Sequence, residues 1–191
     1  MKKSVTYIVA GLLLLSVVAF TTHKETVKSE EEFSESFTMV LEHARAYTLE
    51  VAEAMPAENY TFRPTEDVRS FGEQMAHIGM STKFLLGVFV KGEDLKMDPE
   101  AGEKMVKDVG TSKEKCIETL NNAFDDAIST LKSMDQKQLD ETFVVMFDPA
   151  KPTLTKKEAF LFLRDHITHH RGQAITTLRM KGEKAPQYRG Y

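Results

Sequence analysis

Histidines are concentrated near the C-terminal end of this sequence. Three of the six lie in the segment Asp165-His166-Ile167-Thr168-His169-His170-Arg171-Gly172-Gln173. On a helix, His166 and His170 are related as i and i+4, so their imidazoles share one face. Two neutral imidazoles side by side can hold one divalent metal ion. The segment therefore predicts part of a metal site, and a further ligand must come from elsewhere in the chain.

His77 is the best placed candidate for that third ligand, because it lies in a second helix-like segment, Phe71 to Ile78. Spacing alone does not decide the ligand set, since His169 is also a helical neighbour of His166, at i+3. The simpler interpretations are a polar, solvent-facing turn for the C-terminal histidines and a hydrogen-bonded core residue for His77. No H-E-x-x-H motif is present, so the pattern lacks the built-in general base of a zinc peptidase.

Several neighbouring residues allow two interpretations each. Glu73 and Asp165 could orient an imidazole or could be exposed charges. Gly172 could make room for a close helix contact or could simply be tolerated. His43 has no partner at a recognisable spacing and is predicted to lie on the surface. Cys116, the only cysteine, is predicted to be a small core or interface residue rather than a nucleophile.

Apolar residues recur at helical spacing in four segments that must position these side chains. The first three cover about 33–55, 71–90 and 112–134, and the fourth follows a Thr155 cap and ends near Gly182. Thr111 and Glu114 have the spacing of a capping box before the third. A long polar connection, 91–110, joins the second segment to the third, and 143–147 could be extended.

Four such segments with one longer crossover predict an all-α fold, a four-helix bundle built from residues 33–191. Bundles form metal sites from side chains on facing helices, which would bring His77 to the C-terminal pair.

The N-terminal residues resemble an export signal. Lys2 and Lys3 precede a mostly apolar run, and residues 1–20 are predicted to be a signal peptide or an anchor, with 21–32 a flexible tether. The run is short for a membrane span, which needs roughly 20 apolar residues. We expect an exported protein, periplasmic or anchored facing outward, with membrane contact only through this segment. A cytoplasmic location is the alternative.

The composition excludes several classes of function. The net charge is −4 and no Lys/Arg cluster is visible, which argues against general nucleic-acid binding. One cysteine cannot form an internal disulfide. No Gly-rich phosphate-binding motif occurs.

In four places, in the family's order, the sequence resembles the DinB-like superfamily, which includes the YfiT-type thiol transferases. The shared features are Ala54-Met55-Pro56 with Tyr60, Phe62, Arg63 and Pro64; Arg69 to His77; His166 to Gln173; and Leu178 to Gly182 with Pro186 and Tyr188. The resemblance implies a four-helix bundle with a divalent metal on three histidines. It maps those ligands to His77, His166 and His170 and leaves His169 outside.

Family members of known chemistry are similar to metal-dependent S-transferases that use a small thiol such as bacillithiol or mycothiol. The resemblance therefore implies a thiol transferase, or a related hydrolase, acting on an electrophilic substrate. Arg171 is predicted to contact that substrate, with a surface salt bridge as the alternative, and Glu73 to steady His77. Zinc is the first choice of metal, and nickel, iron or manganese also suit imidazole ligands. A metal-binding protein without catalysis, or a stress-related interaction module, is the alternative function. Association into a homodimer is a further expectation.

Overall fold

Helices dominate the protein, whose computed structural model describes residues 28–96 and 98–190. The helices, in chain order, are α1 (Lys28–Ala54), α2 (Phe71–Leu85), α3 (Pro99–Gly110), α4 (Lys113–Ser133), α5 (Gln136–Leu139) and α6 (Lys156–Met180). A π-helical turn, Leu86–Lys91, prolongs α2, and two short strands, β1 (Thr142–Val144) and β2 (Thr153–Thr155), pair antiparallel before α6. No helix in the described ranges is long and apolar enough to cross a membrane.

The predicted four-helix bundle is confirmed: it consists of α1, α2, α4 and α6. Each of α1 and α2 packs against both α4 and α6, and α3 lies against α2 and α4. The buried apolar residues form two clusters along the bundle. On α6 one cluster reaches Leu163 and the other begins at Ile167, so the histidine segment starts where they meet.

Side-chain caps fix the helices that carry the histidines. Ser70 accepts a hydrogen bond from Glu73 N, and the Glu73 carboxylate accepts one from Ser70 N, a reciprocal capping box that starts α2. Thr155 and Glu158 form the same arrangement at α6, as the Thr155 prediction requires. At the other end of α6, Gly182 has a φ of 94°, a conformation that suits glycine and ends the helix.

Close helix contact depends on Gly72 and not on Gly172. A Cβ at Gly72 would lie 1.9 Å from the carbonyl oxygen of Gly110, so α2 and α3 touch backbone to backbone there. Nothing lies within 4 Å of a Cβ at Gly172. Of the two interpretations of Gly172, simple tolerance is therefore the correct one.

Three predictions about elements need correction. The connection 91–110 is not irregular throughout, because α3 occupies its second half. The Thr111–Glu114 capping box is wrong: Ser112 is the N-cap of α4 and accepts from Lys115 N at 3.3 Å. The first helix begins at Lys28, so 28–32 is helical rather than tether. The predicted signal, 1–20, and the rest of the tether lie outside the described residues and stay predictions.

Candidate metal centre

Facing sides of α2 and α6 bring three histidines together. His77 comes from α2, and His166 and His170 come from α6. Each offers one ring nitrogen, and these three atoms lie within 4.8 Å of one another. The ring centroids are 5.3 Å apart for His77 and His166, 4.3 Å for His77 and His170, and 4.5 Å for His166 and His170. We call these residues the histidine triad.

The protein environment keeps the triad uncharged. Burial is the main cause that lowers the pKa of His77 to about 4 and that of His170 to about 3. Burial also lowers the pKa of His166, and nearby positive charge adds to the effect at all three residues. A metal ion binds neutral imidazole, so the triad is in the form that coordination requires at neutral pH. Three imidazoles on two helices fit a divalent ion.

A chain of hydrogen bonds fixes the orientation of His170. Its Nδ1 lies 2.9 Å from Gln74 Oε1, and since an amide oxygen only accepts, Nδ1 carries the hydrogen. Gln74 Nε2 donates to Gln173 Oε1 at 2.6 Å, and Gln173 Nε2 lies 2.8 Å from His169 Nε2. In each of these hydrogen bonds the donor is on the His170 side and the acceptor is on the His169 side. The chain leaves the Nε2 lone pair of His170 for a metal ion.

Ser81 holds a second member of the triad. Its hydroxyl oxygen lies 3.0 Å from His166 Nε2 and also donates to the carbonyl oxygen of His77. One hydroxyl thus connects the α2 backbone to a ring on α6.

Comparison with known proteins agrees with this architecture. A family model described as the DinB superfamily matches residues 40–174. The chain belongs to the DinB superfamily. No protein with curated annotation matches it.

Solved DinB-like proteins have the same fold. One from Bacillus cereus aligns with a TM-score of 0.65 at 17% identity, over 81% of this chain and 97% of its own. YjoA from Bacillus subtilis aligns with a TM-score of 0.62 at 18% identity, over 82% of this chain and 99% of its own. YfiT from Bacillus subtilis is described as a probable metal-dependent hydrolase with an unusual four-helix-bundle topology. It aligns with a TM-score of 0.62 at 16% identity, over 79% of this chain and 89% of its own.

Within this DinB-superfamily bundle, Glu73 and Asp165 do not serve the triad. The Glu73 carboxylate caps α2 and accepts from Arg63 Nη2 at 2.7 Å. It is buried because it satisfies the helix start, so the prediction that it steadies His77 receives no support. Asp165 is exposed and pairs with Arg164 at 2.8 Å. His43 is exposed, as predicted.

Arg171 lies on a different contact surface of α6 from the triad. It is only 7% exposed, and Nη1 donates to Ala44 O and to Thr48 Oγ1, both at 3.3 Å. Its guanidinium also lies 4.7 Å from the centre of the Tyr47 ring. These contacts fasten α6 to α1. They support neither the predicted substrate contact nor the surface salt bridge.

Sequence reasoning missed Arg69, the residue before the cap of α2. Its charge contributes, after burial, to the lowered pKa of every triad histidine. Arg69 Nη2 pairs with Glu103 Oε2 of α3 at 2.8 Å. An arginine next to Ser-Phe-Gly resembles an ordinary exposed charge in the sequence, and only the fold reveals its position.

Proposed function

We propose that this DinB-superfamily protein binds a divalent metal ion through His77, His166 and His170. The observation that carries the proposal is the triad itself: three uncharged imidazoles from two helices, with ligand atoms within 4.8 Å of one another. Zinc is the preferred ion, and nickel, iron and manganese accept the same ligands. Three protein ligands also leave a coordination position for a small molecule, which is typical of catalytic rather than structural sites.

The proposed chemistry is transfer of a small thiol to an electrophilic substrate. When bound, a divalent ion lowers the pKa of a coordinated thiol or water, so that either can act as a nucleophile near neutral pH. In the transfer, the thiol sulfur forms a bond to an electrophilic carbon as the bond from that carbon to its leaving group breaks. The thiol proton leaves with that group or passes to solvent.

Polar residues around the triad orient the imidazole rings. Gln74 holds the His170 ring in one tautomer, and Ser81 lies against His166. Side chains held by packing and hydrogen bonds keep a site in its productive geometry. Hydrolysis is the second candidate, because YfiT, of the same fold, is described as a probable metal-dependent hydrolase.

Metal analysis of untagged protein tests the binding step. We expect about one ion per chain in the wild type and loss of most of it in His170→Ala. His43→Ala is the matched control, since His43 is exposed and outside the triad. Full retention of metal by His170→Ala would refute the ligand assignment.

The metal-loaded protein is then offered several small thiols with a set of electrophiles, and conjugates are measured by mass spectrometry. Conjugation that requires both metal and His170 supports the transferase. Ester or amide cleavage without thiol supports the hydrolase. Tight metal binding with neither reaction favours a non-catalytic metal-binding protein.

A further inference from the structure

A cavity of about 810 Å³ lies between α2 and α3, and His77 forms part of its wall. This volume falls in the range of roughly 300–1,000 Å³ that is usual for small-molecule sites. The wall is largely apolar, with Met80 and Phe84 from α2 and Met105 and Val109 from α3. Two of the apolar side chains in the wall are open to solvent: Met105 is 56% exposed and Leu95 is 44% exposed. The body of a molecule that fills this space is therefore apolar.

Arg69 brings a positive charge to the same cavity, beside the triad. One nitrogen of its guanidinium, Nη2, is engaged by Glu103. Its Nε is buried and has no hydrogen-bond partner among the described residues. A buried donor without a partner is uncommon, because buried polar groups are nearly always satisfied. The Arg69 side chain as a whole is 31% exposed and lines the cavity, so a bound molecule would meet the accessible part of the guanidinium rather than Nε.

The other charged groups of the wall favour an anion over a cation. Glu103 is already paired with Arg69, and Asp98 caps α3 by accepting from Ala101 N at 3.0 Å. Lys83 also lines the cavity, and it takes part in none of the ion pairs found among the described residues. Glu103 and Asp98 therefore both have partners within the protein, whereas Lys83 can still pair with an anion.

We propose that this cavity is the substrate site and takes an apolar small molecule with one carboxylate, which Arg69 binds. The planar guanidinium matches the geometry of a carboxylate. The proposal rests on the proposed function in taking the triad as the reaction centre, because a molecule anchored at Arg69 would present its other atoms beside His77.

Calorimetric titration with three probes of one carbon skeleton tests the charge preference: 4-phenylbutyrate, 4-phenylbutanol and 4-phenylbutylamine. We expect the wild type to bind the carboxylate at least about tenfold more tightly than the alcohol, and the amine most weakly. Arg69→Gln should abolish this preference and leave alcohol binding within about twofold. Arg63→Gln is the matched control, since Arg63 also pairs with a glutamate but does not line the cavity.

Two further variants separate the Arg69 charge from its neighbours. Arg69→Gln leaves the Glu103 carboxylate without its partner, so the double variant Arg69→Gln/Glu103→Gln is titrated as well. It should also lack the preference for carboxylate. His170→Ala separates the cavity from the metal, because a carboxylate could bind a metal ion directly. We expect His170→Ala to retain the preference even if it contains no metal.

Failure of the metal proposal and failure of this one give different results. If the wild type contains no metal but Arg69-dependent carboxylate binding persists, the metal site is wrong and the cavity assignment survives. Equal binding of the three probes, no binding of 4-phenylbutyrate, or a preference that survives Arg69→Gln would each overturn the assignment. Loss of the preference in His170→Ala would overturn it too, because the carboxylate would then depend on the metal.

Discussion

His170 is held in orientation by the buried amide of Gln74, which accepts its Nδ1 hydrogen. Gln74→Met keeps the length and the burial of this side chain but removes the acceptor. The His170 ring then loses the contact that fixes its tautomer. We expect metal affinity to fall by about 10–100-fold. Competition with a chromophoric chelator measures the change.

Gln187→Met is the control for Gln74→Met, because Gln187 is exposed and lies in the C-terminal tail. Its metal affinity should equal that of the wild type. Unchanged affinity in Gln74→Met would show that packing alone orients His170.

Burial explains why Cys116 is not a nucleophile. Its thiol is 0% exposed, and burial raises its pKa to about 12, so the thiol stays protonated near neutral pH. Only the thiolate reacts readily with alkylating agents. We expect iodoacetamide to modify Cys116 at pH 8 only after unfolding in urea, as measured by intact mass. Equal rates in folded and unfolded protein would contradict the structure.

Among single residues, the sequence predicted those whose spacing carries information and missed those whose position depends on the fold. The i and i+4 histidines can be found by pattern. Gln74 and Gln173 meet across two helices that are about a hundred positions apart in the chain, and nothing local marks them. Arg171 was predicted to contact substrate because it follows two histidines, and nothing in the local sequence marks its hydrogen bonds to α1.

The start of α6 was predictable because a side-chain signal marks it. Thr155 is the N-cap of α6, as predicted, and Glu158 completes a capping box with it. The helix α3 was missed because glycine and a high density of charge favour a loop. Its start nevertheless has a recognisable signal, since Asp98 is the N-cap and Pro99 occupies the first turn.

Two glycines inside helices should respond in opposite directions to alanine. Gly172→Ala adds a methyl group in open space and reduces the freedom of the unfolded chain, so the free energy of unfolding should rise by about 0.5–1 kcal/mol. Gly72→Ala places its methyl group against the backbone of α3 and should lower that free energy by about 1–3 kcal/mol or more. Urea unfolding followed by circular dichroism measures both.

The pair of variants serves as its own control, because the chemical change is the same in each. A destabilised Gly172→Ala would show that α6 has a close neighbour at this position. A neutral Gly72→Ala would show that α2 and α3 are not in backbone contact.

For the whole molecule, the bundle was predictable because each of the four helices has an apolar stripe that must be buried against the other helices. The packing order was not, since nothing in the stripes says that α1 and α2 each contact both α4 and α6. The consequence of that order is functional: α2 and α6 are neighbours, so residues from distant parts of the chain form one site. A metal ion bound there would link the two helices.

Metal should therefore stabilise the entire fold. A ligand that binds only the folded state, present at 100 times its dissociation constant, adds about 2.7 kcal/mol to the free energy of unfolding. For a domain of this size, that corresponds to a rise in melting temperature of about 5–10 °C. Calorimetry of metal-loaded protein should show this rise, and excess EDTA should reverse it. His170→Ala, which removes one of the two α6 contributions, should melt at the same temperature with and without metal. If metal shifted the melting of that variant as much as the wild type, the stabilising ion would be bound outside the triad.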